Sequence, residues 1–249
     1  RPKFRFPWEI LGVIGLTALA FLLWNIFSTR DSLFFPSPQK VWQALVNNAS
    51  YLIPHTLATL RVTALGVLMS LLIGVPVGYV MGKKLMLERL LSPFIVALQA
   101  IPIAILAPLL VIWMGYGLSA RVLTTMLISI FPVMISTMVG VREVDRTYRE
   151  VFITIGANTW GTLFRLDFPG ALPVVLGGLR LTVTLALIGT VVSEFIFGGY
   201  GLGYFANTER LNFRYANAVA AVAVNVGLGL FFYLIVSLLE QWVLRYRKA

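Results

Sequence analysis

Long, nearly unbroken apolar runs constrain this 249-residue chain more than any other feature. About 20 mainly apolar residues suffice to cross a bilayer as a helix, and inside lipid only helices or closed barrels satisfy their own backbone. The runs show no period-2 alternation, the mark of a barrel, so helices are expected. We place spans at about 8–27, 57–82, 92–114, 121–142, 171–197 and 216–244. The composition agrees: 59% hydrophobic, 12% charged, mean hydropathy +0.87. A soluble domain has about 45–50% apolar and about 25% charged residues. The expected fold class is all-α, a polytopic membrane protein with six transmembrane helices in a single domain, 1–249. The basic-then-apolar start resembles a signal peptide. Its run is too long for one and no small-residue cleavage site closes it, so a retained first span is expected.

The 20 Lys and Arg residues set the orientation. On one side fall Arg1, Lys3, Arg5, Lys83, Lys84, Arg89, Arg142, Arg146, Arg149, Arg165, Arg180, Arg245, Arg247 and Lys248, which is 14; on the other fall Arg30, Lys40, Arg61, Arg121, Arg210 and Arg214, which is 6. Excess basic charge marks the cytoplasmic side, so both termini are expected there. The net charge of +10 then reflects topology and attraction to anionic membrane lipid. No aromatic-interleaved basic patch points to nucleic acid. Trp8 and Trp24 near the ends of the first span, with Trp242 and Tyr246 at the last, suit the lipid interface.

Several chemistries have no residues to build on. The chain has no cysteine and one histidine, His55, so neither a metal cluster nor a Ser-His-Asp triad is expected. No P-loop is present; the nearest match, Gly78 to Lys84, is a residue short and ends in lysine. The chain itself is expected to be non-catalytic and to bind no cofactor. "GGYGLGY" superficially resembles a potassium-channel filter but lacks the Thr-Val lead-in.

Polar and irregular residues inside the spans mark where helices must meet or a path must run. Gly66, Ser70, Gly74, Gly78 and Gly82 form a smooth ridge, one small residue every fourth position, suited to close helix packing. Pro93, Pro102 and Pro108 interrupt the third span and Gln99 lies within it; Pro76 and Pro132 are expected to kink others. Broken backbone at membrane depth is tolerated where it lines a cavity. Gln99, Pro102, Pro108, Ser136, Glu194 and Tyr204 are therefore candidates for a translocation path or gate. Glu194 sits well inside a span, where an acid is costly; it either contacts substrate or pins the adjacent glycine-rich turn, Phe197 to Phe205. Arg61 is the one basic candidate for an anionic solute. Outside, Ser37 and Pro38 begin a short helix whose Val41, Trp42, Leu45 and Val46 share a face, placed on the interface or against an external partner.

Arg149 to Pro173 is polar and ordered between two greasy segments. It reads as helix, stop at Gly156, an Asn158 cap, then a second short helix ending before Pro169. Phe152, Ile153, Ile155, Trp160, Leu163 and Phe164 would form an apolar knob outside the bilayer. Glu150, Gly156 six positions later, then Leu166, Phe168 and Pro169 resemble the E-A-A-x-x-x-G-x(9)-[IL]-x-[LF]-P motif of bacterial ABC importer permeases. "PGALPVVLGGLRL", "APLLVIWMGYG" and "VVSEFIFGGYGLGY" extend the resemblance to the nitrate/sulfonate/taurine-type branch. Within it, "IGTVVSEF" is similar to pyrimidine (thiamine-precursor) or riboflavin permeases.

The resemblance implies a type I importer-like fold in a bacterial inner membrane. It implies a second permease copy, two ABC ATPase subunits holding ATP and Mg, and an extracytoplasmic substrate-binding protein. It implies that 147–170 is a coupling segment, with Glu150, Phe152, Gly156, Ala157, Asn158, Leu166, Phe168 and Pro169 at the ATPase contact. Val151 and Phe152 depart from the motif's two alanines, so Phe152 either fills a roomier pocket or turns toward the permease core. The alternative reading is a stand-alone secondary transporter, for which no clear internal repeat is visible.

Overall fold

A computed structural model describes residues 8–28 and 34–247. Arg1, Lys3, Arg5, Arg30 and Lys248 of the orientation argument lie outside the described residues. Among those described there are helices and no strands. They are α1 (Trp8–Ser28), α2 (Pro38–Asn47), α3 (Ala49–Lys83), α4 (Leu85–Ala100), α5 (Ile103–Met114) and α6 (Leu118–Arg142). There follow α7 (Arg146–Thr154), α8 (Thr159–Thr162), a π-turn (Leu163–Asp167), α9 (Phe168–Phe197), α10 (Leu202–Leu211) and α11 (Tyr215–Val243). Four segments are long and apolar enough to cross a membrane: α3, α6, α11 and the run Thr159–Phe197. The α4–α5 pair makes a fifth if it counts as one broken span; the described apolar part of α1, Ile14–Ser28, is shorter. The sixth crossing thus remains an expectation.

The bundle centre is α6 packed between α3 and α9. Its basis is the small-residue ridge of α3, whose Gly66, Ser70, Gly74 and Gly78 are all buried. A methyl group at Gly78 would sit 2.2 Å from the Met134 carbonyl oxygen, and one at Gly66 would sit 2.3 Å from Thr125 Cγ2. Only residues without a Cβ let the two backbones approach this closely. Buried hydroxyls then bridge the three helices. Ser70 Oγ lies 2.8 Å from Ser129 Oγ, and Thr63 donates to Thr190 at 3.0 Å, which also meets Thr125 at 3.2 Å. Such bonds contribute only about 0.6 kcal/mol each in membrane proteins, so close packing holds the bundle and the hydroxyls set its register.

Three expectations are corrected. The third span is two helices meeting at 94°. Of the prolines, Pro102 marks the break: it follows Ile101, which is held extended at ψ 118°, as the residue before a proline prefers. Pro54, Pro76, Pro93, Pro108, Pro132 and Pro173 lie inside helices that continue through them. Secondly, the short helix after Asn158 does not end before Pro169 but runs into α9. The π-turn widens the backbone there, and Pro169, which has no N–H to donate, follows it at the start of α9. Thirdly, α2 begins as expected, with Ser37 Oγ accepting from the Lys40 N–H, but its apolar side splits. Val41 and Ala44 pack with Ala220 of α11 and Trp24 of α1, while Trp42 and Val46 are exposed. The Trp24 indole N–H donates to the Pro36 carbonyl at 3.1 Å.

Gly78→Val is expected to lower stability by about 1–3 kcal/mol or more, because the added carbons overlap α6 backbone. Gly227→Val, in open space, is expected to leave it unchanged. Unfolding in mixed SDS–detergent micelles measures both.

Candidate functional site

One end of the bundle carries the segment 147–170. Asp145 caps α7, its carboxylate accepting from the Thr147 N–H at 2.8 Å, a bond that holds its carboxyl below the usual aspartate range. Gly156 ends α7 with φ +71°. The Ala157 N–H reaches back to the Phe152 carbonyl and the Gly156 N–H to that of Ile153, at 2.9 and 3.0 Å, the paired bonds of a Schellman stop. Asn158 Oδ1 then accepts from the Gly161 N–H at 2.7 Å. The knob that results is apolar and uncovered: Ile153 is 75% exposed, Ile155 69%, Trp160 68% and Phe164 62%. Trp160 and Phe164 stack at 5.9 Å. Phe152 is half-buried, and Ala157 beside it likewise. Glu150 and Phe168 are exposed, Leu166 and Pro169 half-buried.

The same end holds a residue that sequence reasoning missed. Asp167 is fully buried. Its Oδ2 accepts from the Tyr79 hydroxyl at 3.0 Å and pairs with Lys83 at 2.6 Å, and its Oδ1 pairs with Arg149 at 3.2 Å. Arg149 also donates to the Val141 carbonyl at the end of α6. Nearby, Arg142 pairs with Glu88 of α4. Lys83 and Arg149 had counted only as markers of the inner side. Arg180, in that group too, lies well along α9, where it pairs with Glu240 of α11 at 2.6 Å.

At the opposite end Glu194 is fully buried. Its Oε1 accepts from Thr59 at 2.7 Å and its Oε2 from the Gly203 N–H at 2.8 Å. Thr59 Oγ1 accepts from the Leu202 N–H at 2.8 Å, and His55 Nδ1 accepts from the Gly201 N–H at 3.0 Å. Gly201 has φ +125°, and a Cβ there would fall 2.0 Å from the Glu194 carboxyl carbon. Arg121, at the start of α6, donates to the carbonyls of Gly198 and Tyr200. The glycine-rich turn is thus held by three helices, and Glu194 makes the contacts of a pin. Tyr204 packs 6.0 Å from the His55 ring, which itself lies 5.6 Å from Tyr200.

The remaining path candidates separate. Gln99, Pro102 and Ser136 line a half-open cavity of about 650 Å³ between the α4–α5 break, α6 and α9, walled by residues such as Leu106, Phe131 and Leu185. Pro108 is exposed on α5, Arg61 is exposed on α3, and Glu194 and Tyr204 lie elsewhere. No group of three His, Cys, Asp or Glu side chains able to hold a metal occurs among the described residues.

Residues 70–245 match the family model of the binding-protein-dependent transport system inner membrane component. The chain belongs to that family: it is the membrane-embedded permease subunit of an ABC transporter. It is 36% identical over 252 residues to the riboflavin transport system permease protein RibX of Chloroflexus aurantiacus, covering 98% of this chain and 93% of that one. It is 33% identical to the formylaminopyrimidine transport permease protein ThiX of Halalkalibacterium halodurans, over 91% and 92% of the two chains. The taurine permease TauC of Escherichia coli is 30% identical over 84% of this chain and 80% of its own. A chain of the inward-facing MetNI methionine ABC transporter shares the fold, with a TM-score of 0.67 at 20% identity, covering 77% of this chain and 95% of that one. Family membership sets aside the stand-alone secondary transporter.

Glu194→Ala strips the acceptor from two buried donors and is expected to cost about 1–3 kcal/mol. Glu194→Gln keeps one acceptor oxygen, and its amide finds the Thr59 oxygen, so most stability is expected to return. SDS unfolding together with protease sensitivity of residues 198–203 separates the two variants. Equal loss in both would count against the pinning role.

Proposed function

We propose that two copies of this chain form the translocation path of an importer for a small planar heterocycle, pyrimidine-like or flavin-like. An extracytoplasmic binding protein delivers the solute. Two ATPase subunits, which hold ATP and Mg, engage segment 147–170. Both termini and that segment face the cytoplasm of a bacterial cell, with the inner membrane around the spans.

The carrying observation is the knob. Four large apolar side chains stand exposed on α7, α8 and the π-turn, at the end of the bundle where basic residues cluster. An apolar surface outside the lipid needs a protein groove to cover it. Its placement on a span, through a turn that runs unbroken into α9, lets a moving partner act on the membrane helices. The heterocycle reading has support from two relatives named for such solutes and from the apolar cavity whose polar side chains are Gln99, near the helix break, and Ser136, on α6. Neither side chain has a hydrogen-bond partner among the described residues, so each is available to a solute's ring nitrogen or carbonyl. The exposure of Ile153, Ile155, Trp160 and Phe164 supports a groove contact made chiefly by these four rather than by half-buried Phe152. ATP binding moves this machine only if it favours one arrangement of the helices by differential contacts.

Gly156→Asp places a Cβ and a charge at a left-handed turn in the middle of the knob, with open space around it. The chain is expected to insert and fold normally while uptake falls by more than about tenfold, the size of a typical inter-site coupling. Uptake of riboflavin and of formylaminopyrimidine into proteoliposomes, measured beside ATP hydrolysis, reads both the coupling and the solute class. Normal uptake in Gly156→Asp would sink the coupling role, and transport of taurine but of neither heterocycle would sink the solute class.

A further inference from the structure

Asp167 is the point where four elements of the permease meet. Tyr79 and Lys83 bring the inner end of α3 to it. Arg149 brings α7, and through its second bond to the Val141 carbonyl brings the end of α6. Asp167 itself ends the π-turn from which α9 starts. Its side chain is wholly buried, while those of Lys83 and Arg149 are 26% and 27% exposed. A buried carboxylate keeps its charge only when paired, and removing one member of such a set is far costlier than losing a surface pair. Without it, α7 would lose its ion pair to the start of α9.

We infer that Asp167 is a positioning residue for energy coupling: it locks α7 to the inner ends of α3, α6 and α9, so that a displacement of the knob moves the three helices as one body. The inference rests on the reading of 147–170 as the segment that an ATPase engages. The rest of the body is already described. The glycine ridge fixes α3 to α6, and the Thr63–Thr190–Thr125 hydroxyls fix both to α9. At the far end the Thr59–Glu194 bond joins α3 to α9 again and holds the glycine-rich turn. Buried acids therefore tie α3 to α9 at both ends, one beside the knob and one beside the opposite mouth. The 94° break at Ile101–Pro102 lies outside this body and is where α5 parts from α4. A push at α7 has a stiff route to the turn at 198–203, and Asp167 is its first joint.

The chain has no cysteine, so introduced cysteines label specifically. The test uses the full chain in lipid nanodiscs with the ATPase subunits of its own transporter. One sample carries nitroxides at Val80→Cys on α3 and Thr154→Cys on α7, and a second carries an environment-sensitive fluorophore at Tyr200→Cys in the far turn. In the native background a narrow α3–α7 distance distribution and an ATP-dependent change at position 200 are expected. In Asp167→Asn the distribution broadens, ATP hydrolysis continues, and the change at position 200 falls about tenfold; Asp167→Glu, which restores the charge, recovers much of it. A narrow distribution with a native response in Asp167→Asn overturns the inference. Should that variant fail to insert, Arg149→Gln, which removes the ion pair from α7 and leaves Tyr79 and Lys83 on Asp167, decides by the same two readings. If the ATPase subunits do not bind the native chain, the functional reading fails, and the α3–α7 distance still decides whether Asp167 holds α7.

Discussion

Backbone-to-backbone contact along α3 and α6 is the constraint on which the rest depends. Lipid tails are as apolar as leucine, so helices gain nothing in a membrane merely by hiding apolar surface from one another. What brings α3 and α6 together is the absence of side chains at Gly66, Gly74 and Gly78. Once the backbones touch, Ser70 meets Ser129 and Thr63 meets Thr190, distances that longer side chains would have prevented. The two buried acids follow from the same geometry. Thr59 reaches Glu194, and Tyr79 reaches Asp167, only because α3 lies flush in the bundle.

This arrangement divides labour along the chain. The core of α3, α6 and α9 is closely packed and bridged by buried hydroxyls, while the α4–α5 pair bends and borders a half-open cavity. Surfaces left uncovered are of two kinds. Apolar residues along α1, α5 and α11 face the membrane or another subunit, whereas those on α7 and α8 stand beyond the spans.

Parts of this were legible in the residues alone. Glycines at a four-residue spacing place one smooth face on a helix, and that face is where α6 packs. Gly156 and Asn158 announce a stop and a cap by their chemistry, and both occur. Other parts were not legible. Three prolines in one segment read equally as kinks; that Pro102 alone marks a break depends on what α5 packs against, namely α6 and α9. Pro169 read as a helix end because its missing donor is a local fact, while the π-turn that accommodates it is held by the Asp167 contacts. Arg121 looked like an orientation marker, since nothing nearby in sequence reveals that it donates to carbonyls 77 and 79 residues away.

Sequence by itself determined the membrane class, most of the spans, the small-residue face and the stop at the knob, because each depends on residue type and on periods of a few residues. Tertiary structure alone decided the partners of the two buried acids: Glu194 bonds a threonine 135 residues away, and Asp167 a tyrosine 88 residues away. A carboxylate in a nonpolar run announces that it must have a partner, but many hydroxyls and cations elsewhere would satisfy it equally. Which one does so is settled by the helix packing that brings them within 3 Å.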